Sequence, residues 1–360
     1  MTTLELLPRP TNAAPWKVRS SSHMAKIMLA STLPALIAFT LGSIFQIPGP
    51  ITLLFIFLPL QFALAGFAAI STRGRRGLAD SSLNVGVLFA TTFISIMLGS
   101  VLYSVISFGL KAMSAHFVYQ NNEYITTTTS LDYGGAGHAL LGTFLIVGIA
   151  TLISVPLGIA VAVYLTETRG RFRGPVRFFA QSMSGLPSIV AGLFIYAVFI
   201  SSGISRAAGW LGALALALLM LPTVVRMSEE VLKLVPGDLR SAALALGAPQ
   251  RRAFFQVIMP AAKTGLVTAV LLGIARVVGE TAPLLLTSLN TNGFVWNPIG
   301  GTVASLPTYI FAMFMYGTEY SSARAWTGSL VLLALVFFFF IIARRLGNKS
   351  ALKANANRRK

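Results

Sequence analysis

Apolar residues gather into eight stretches along the chain, near 25–47, 50–70, 85–110, 138–165, 185–202, 209–227, 264–287 and 326–343. Each is long enough, or nearly so, to carry a helix across ~30 Å of hydrocarbon at ~1.5 Å per residue. Within hydrocarbon a backbone must satisfy its own polar groups, so such runs read as helices. The pattern predicts an all-α integral membrane protein: a polytopic helical bundle of eight spans. Residues 1–24 read as a polar tail, and 25–84 as a helical hairpin closed by the polar linker Ser71–Asn84. Residues 85–345 read as a six-helix unit and 346–360 as a basic, disordered tail. The first stretch comes after more than twenty residues of polar tail and exceeds a signal-peptide core in length, so it is read as a span.

Two connecting segments break the rule of short loops. Lys111–Gly137 is polar. Ser288–Ala325 contains an apolar run, Thr302–Tyr316, too short to span comfortably, which predicts a re-entrant or interfacial helix. Prolines recur in or at the ends of the spans, at 34, 59, 156, 187, 222 and 283. Broken helices are tolerated in a membrane where protein or a cavity re-satisfies the freed backbone groups.

Composition agrees: 55% of residues are hydrophobic and 11% charged. There is no Cys, which excludes disulfides and thiolate metal sites. His23, His116 and His138 lack ligand spacing and are read as surface or interfacial. The net charge of +18 changes the picture only through its distribution. With the N-terminus inside, 24 of the 28 basic residues fall on segments of one side. That is the positive-inside pattern, and it predicts both termini in the cytoplasm. The excess is an orientation signal plus attraction to anionic lipid headgroups, not a nucleic-acid footprint, since no aromatic-interleaved basic groove accompanies it.

Candidate chemistry lies within the seventh stretch. Arg276 and Glu280 stand at i and i+4 among Leu271, Ile274, Val277, Val278 and Leu284. A charge at mid-bilayer costs roughly 2.5–3.5 kcal/mol on insertion scales, so such residues face a protein interior or a water-filled path. On a continuous helix the spacing places them on one face, able to share a hydrogen bond. Either a structural bridge or an ion-handling site results.

The long segment 228–262 between the sixth and seventh stretches reads as helix, glycine turn, helix. Gly247 is placed to terminate one helix and Pro249 to start the next. Ala242, Ala243 and Ala245 offer a smooth face; Leu244, Leu246, Phe254 and Phe255 offer apolar knobs suited to a groove on a partner. This segment resembles the EAA loop of ABC-importer permeases. Ser241, Ala242, Ala243, Gly247, Val257, Met259 and Pro260 fall in register with that pattern, with Ser241 where the family carries Glu. Two further segments resemble phosphate-importer permeases of the PstA type: Gly185-Leu186-Pro187-Ser188 and Gly279-Glu280-Thr281-Ala282-Pro283. The resemblance covers roughly 85–345 and implies a type I importer permease core, with the hairpin added to it.

The resemblance implies that Arg240, Ser241, Ala242, Ala243, Gly247 and Pro260 belong to the loop that couples to an ATPase, and that Arg276, Glu280, Thr281 and Ser188 line the substrate path. It implies a bacterial inner-membrane protein working with a second permease subunit (PstC type), an ATPase dimer (PstB type) and an external phosphate-binding protein (PstS type). No G-x-x-x-x-G-K-[ST] motif occurs, so ATP and Mg are expected on the partner and no cofactor on this chain. Residue chemistry fits the substrate. A guanidinium fork matches phosphate oxygens, and an ionised Glu280 accepts the P–OH hydrogen bond that sulfate lacks. Other readings remain open: a permease for sulfate, molybdate or phosphonate, a passive anion channel, or an enzyme on lipid-linked phosphates. The last wants clustered acids, and Glu123, Asp132 and Glu319 are scattered.

Overall fold

The computed structural model describes residues 21–73, 75–168 and 170–357, and within them the regular structure is helical. Most of the expected N-terminal tail, residues 1–20, lies outside the described residues. Two compact units emerge, Met1–Leu102 and Tyr103–Lys360, and their boundary falls inside a long helix rather than at residue 84.

In the first unit, α1 (Ser21–Ile44) leads into a tight turn, the short α2 (Gly49–Ile51), a π-helical stretch (Thr52–Phe57) and α3 (Leu58–Arg73). The Thr52 hydroxyl donates to the Ile47 and Pro48 carbonyls at 3.3 Å, closing the turn that folds α3 back on α1. The hairpin is thus present. Its linker is largely helical: Ser71–Arg73 belong to α3, and α4 (Arg75–Gly109) covers 75–84. Ala, Leu, Arg and Ser there carry no helix-breaking Pro, so helix continues where polarity alone predicted a connection.

The second unit is built on two helices that run in the same direction, α6 (Gly137–Glu167) and α9 (Gly209–Lys233). Ile146, Ala150, Leu216, Met220, Val224 and Val277 are buried between them and α12 (Met259–Val278). Small residues let the backbones close, and Ser154 donates to the Ala217 carbonyl at 3.1 Å across the α6–α9 contact. Between these two lie α7 (Arg173–Ser184) and α8 (Ser188–Ile195), the latter extended by a π turn, Tyr196–Ser201. The arms Arg173–Ser184 and Ser188–Ser201 meet at 105°. After α9 come α10 (Gly237–Ala245), α11 (Gln250–Ala253), a π turn and then α12. The chain closes with α13 (Ala282–Thr287), α14 (Leu306–Met315) and α15 (Glu319–Asn357), and α5 (Ala115–Tyr119) lies between α4 and α6.

Among the described residues, five helices are long and apolar enough to cross a membrane, or six if the bent pair counts as one span. The hairpin helices are not among these spans, and the fifth apolar stretch forms one arm of the sharply bent pair. α14, at ten residues, is the short apolar helix expected between the last two spans. A Ser305–Thr308 capping box starts it, and the Leu306 amide donates to the Thr143 hydroxyl of α6 at 2.8 Å. α15 continues to Asn357 through the segment expected to be disordered; its Lys-, Ala- and Asn-containing end holds no Gly or Pro beyond Gly347 to stop it.

Two polar residues lie elsewhere than their sequence neighbourhood predicts. His138 is 2% exposed, packed edge-on against Tyr309 with ring centroids 5.5 Å apart, not surface or interfacial. Arg324, expected in a loop, is 1% exposed on α15. Its Nη2 donates to the carbonyls of Thr129, Ser130 and Tyr133 at 3.0, 2.7 and 3.0 Å. A single buried guanidinium therefore ties down the 126–133 loop.

Candidate permeation and coupling site

The seventh apolar stretch is not one helix. α12 carries Arg276 in its last turn and stops at Val278. Gly279 and Glu280 are non-helical, Thr281 caps α13, and Pro283 sits in the first turn of that helix. Pro283 has no amide hydrogen and its ring displaces the carbonyl four residues back, at Gly279, so a continuous ladder cannot form there. Glu280 therefore leaves the helix surface that Arg276 occupies, and the shared hydrogen bond expected of an i, i+4 pair does not form. The ion pairs of the described residues do not include one between Arg276 and Glu280. Instead Arg276 Nη1 donates to Thr223 Oγ1 of α9 at 2.8 Å. Arg276 is exposed, whereas Glu280 and Thr281 are half-buried. Sequence reasoning misses Thr223. The available signal is a hydroxyl directly after Pro222 inside an apolar span, where a proline frees backbone groups and local polarity has a use.

Ser188 lies on the second interrupted segment. Pro187 precedes α8 and Ser188 is its first residue. One turn further on, a Cβ on Gly192 would stand 2.6 Å from Pro283 Cα, so α8 and α13 touch through their backbones and only glycine fits. Tertiary packing thus brings the half-helix that begins with Ser188 against the half-helix that Thr281 caps. The result is two broken helices in contact, with unwound backbone at Gly185–Pro187 and Gly279–Thr281. Discontinuous helices of this kind supply half-helix termini and open backbone groups to ions in membrane transporters.

At the opposite end of α12 the 228–262 segment folds as helix, turn, helix. α10 ends near Gly247, whose φ of 78° is the left-handed value expected of a glycine terminus. Pro249 sits at the N-cap of α11, one place before the first turn. Ala243 is buried, while Ser241, Ala242, Leu244, Ala245 and Leu246 are exposed, Leu246 to 89%. Phe255 is exposed, but Phe254 is not a knob: it is buried with Leu232, Ile258 and Leu266. Pro260 is the second residue of α12 and exposed. The Ser241 hydroxyl turns back to the Gly237 carbonyl at 3.2 Å. Arg240 is placed against α6: its Nη2 meets Glu167 Oε1 at 2.5 Å, and Gln250 Nε2 donates to the Glu167 carbonyl at 3.1 Å. Glu167, at 9% side-chain exposure, is the residue through which a long apolar helix holds the loop. Sequence reasoning does not find it, because eighty-odd residues separate it from Gln250.

Residues 154–351 match the family described as binding-protein-dependent transport system inner membrane component. The chain belongs to this family. It is therefore a permease component of a multi-pass membrane transporter, and α10–α11 lies in the matched region. Curated relatives include the phosphate transport system permease protein PstA of Haemophilus influenzae, 36% identical over 265 residues, 72% of this chain and 92% of that protein. The protein of the same name from Yersinia pestis is 37% identical over 246 residues, 68% of this chain and 81% of that protein. Among solved structures, an amino acid ABC transporter with histidines aligns at TM-score 0.48 and 16% identity, over 59% of this chain and 92% of that chain.

Proposed function

We propose that this permease component is one of the two membrane subunits of an ATP-driven importer of phosphate, of the PstA type. It forms half of the translocation path and takes its motion from a separate ATPase through α10 and α11. The observation that carries the reading is the exposed Arg276 guanidinium at the broken end of α12, steadied by Thr223, with Glu280 just beyond it in unwound backbone. Phosphate near neutral pH is a mono- or dianion that keeps P–OH groups. Arg276 matches its oxygens. Glu280, carrying no ion pair among the described residues, accepts from P–OH and tempers the grip so that the ion can leave. Ser188 and Thr281 add hydroxyl donors from α8 and α13. The identity to relatives named as phosphate permeases supports the substrate over other oxyanions.

The partners in this reading are a PstC-type permease, a PstB-type ATPase dimer that binds ATP and Mg, and a PstS-type binding protein outside; this chain itself holds no cofactor. In the same reading both termini are cytoplasmic in a bacterial inner membrane, which the positive-inside pattern of the loops supports. The test is ATP-dependent uptake of labelled phosphate into vesicles by the reconstituted complex. Arg276→Ala is expected to abolish uptake while the complex still assembles. Wild-type uptake by that variant would reduce Arg276 to a structural donor, and competition by sulfate, molybdate or phosphonate in place of phosphate would reassign the substrate.

A further inference from the structure

A second cationic cluster lies far along the chain from Arg276, where α7, the end of α9 and the start of α10 converge. They enclose a cavity of about 280 Å³ lined by Arg173, Lys233, Arg240, Thr166 and the Pro236–Gly237 start of α10. None of the lining residues is acidic. The nearby carboxylates include Glu167, which pairs with Arg240, Glu229, which accepts from Arg177 at 2.5 Å and from Lys233 at 2.7 Å, and Asp238 in the first turn of α10. Arg173 has no ion-pair partner among the described residues. The Nε atoms of Arg173 and Arg240 are buried without a hydrogen-bond partner. Buried guanidinium donors normally meet an acceptor. A water oxygen would satisfy the donors and leave the charge; an acceptor-only anion satisfies both. α10 also begins here with no side-chain cap, so its first amides favour negative charge at the same place.

We propose that this cavity binds a phosphate-group oxyanion, gripped by Arg173 and Arg240 with Lys233 adding charge. The bound ion braces the start of α10 against α7 and the end of α9. Free inorganic phosphate and a phospholipid headgroup present the same chemistry to these side chains. The site is independent of what passes along the path at Arg276.

The test uses the full chain, in the complex in which it purifies, in nanodiscs of an uncharged, phosphate-free glycolipid. Thermal unfolding is monitored against added inorganic phosphate, with chloride at equal ionic strength as reference, because a ligand that binds the folded state raises its midpoint. Wild type and Arg276→Ala are expected to gain stability with phosphate. In Arg173→Gln the half-maximal phosphate concentration is expected to rise at least tenfold. A second arm replaces part of the lipid by phosphatidylglycerol without free phosphate. A gain in that arm alone, lost in Arg173→Gln, identifies the headgroup as the ion and supports the site equally. No gain in either arm, or a gain that Arg173→Gln leaves unchanged, overturns the proposal. If Arg173→Gln does not fold, Arg173→Lys, which keeps the charge and loses the Nε donor, replaces it: a threefold or greater rise supports the site and an unchanged curve overturns it.

Discussion

A charge beside apolar neighbours survives by finding something to do, and two such arginines of the second unit do different things. Arg276 keeps its guanidinium exposed and gives one donor to Thr223. Arg324 is sealed and gives its Nη2 to three loop carbonyls. Substituting Arg324→Leu removes the donor shared by those three carbonyls, and a hydrogen bond to a charged group is worth about 1.5–3 kcal/mol. The expected outcome is a loss on the order of 3–5 kcal/mol, read as a lowered unfolding midpoint in detergent, with Arg324→Lys recovering only part of it because an ammonium cannot reproduce the guanidinium geometry. The loop 126–133 should gain protease sensitivity in the same variant. In sequence the two arginines differ little, since each is a lone basic residue beside apolar neighbours. What separates them is the loop that folds over Arg324, contributed from nearly two hundred residues earlier.

Helices in this chain are interrupted where the sequence carries Pro and Gly together, and those interruptions are where the elements become useful. Gly185-Leu186-Pro187 and Gly279 to Pro283 are legible as breaks because proline removes an amide and glycine tolerates the resulting backbone. That α8 and α13 then touch at Gly192 and Pro283 is not legible, because periodicity describes one helix at a time. Gly247 tests the turn of the coupling segment by backbone alone. Nothing lies within 4 Å of a Cβ placed there, so size is irrelevant and only the φ of 78° resists a side chain. Gly247→Val is expected to destabilise the turn by about 1–2 kcal/mol and to reduce co-purification of the ATPase, whereas Gly247→Asn, which tolerates the left-handed region, retains it. Equal behaviour of the two variants would show that the turn does not set the docking geometry.

Across the second unit, the 228–262 segment is held to the core by the burial of Phe254 and Ile258 with Ala162 and Leu232, and by one carboxylate. Glu167 ends α6, and Arg240 and Gln250 both reach it. On the proposed function, a rigid link from α10 to α6 would carry movement of an ATPase toward Arg276. Glu167→Gln removes the charge and keeps the shape. Because Arg240 is partly exposed, the bridge is worth about 1 kcal/mol, so the protein is expected to fold and assemble. The measured change is in uptake per ATP hydrolysed, which should fall at least threefold, and the exchange Glu167→Arg with Arg240→Glu should restore part of it. An unchanged ratio would confine the bridge to local stability. The family pattern places Glu within the loop itself, where this chain has Ser241. Here the loop's carboxylate contact comes from a different helix, a substitution in space that no reading of the loop could find.

Local composition and spacing were enough to establish one set of features. Apolar length made the chain helical and membranous, proline and glycine marked the breaks, and Ala242, Ala243, Gly247 and Pro260 aligned one segment with the EAA pattern of importer permeases. Which polar groups meet was left to packing in three dimensions. Packing parted Arg276 from Glu280, gave Arg276 to Thr223, buried His138 and Arg324, and joined Glu167 to Arg240. The physical reason lies in the range of the interactions. Helix formation is settled by neighbours within a few residues, whereas the partner of a buried polar group is whatever the packing of distant helices delivers to it.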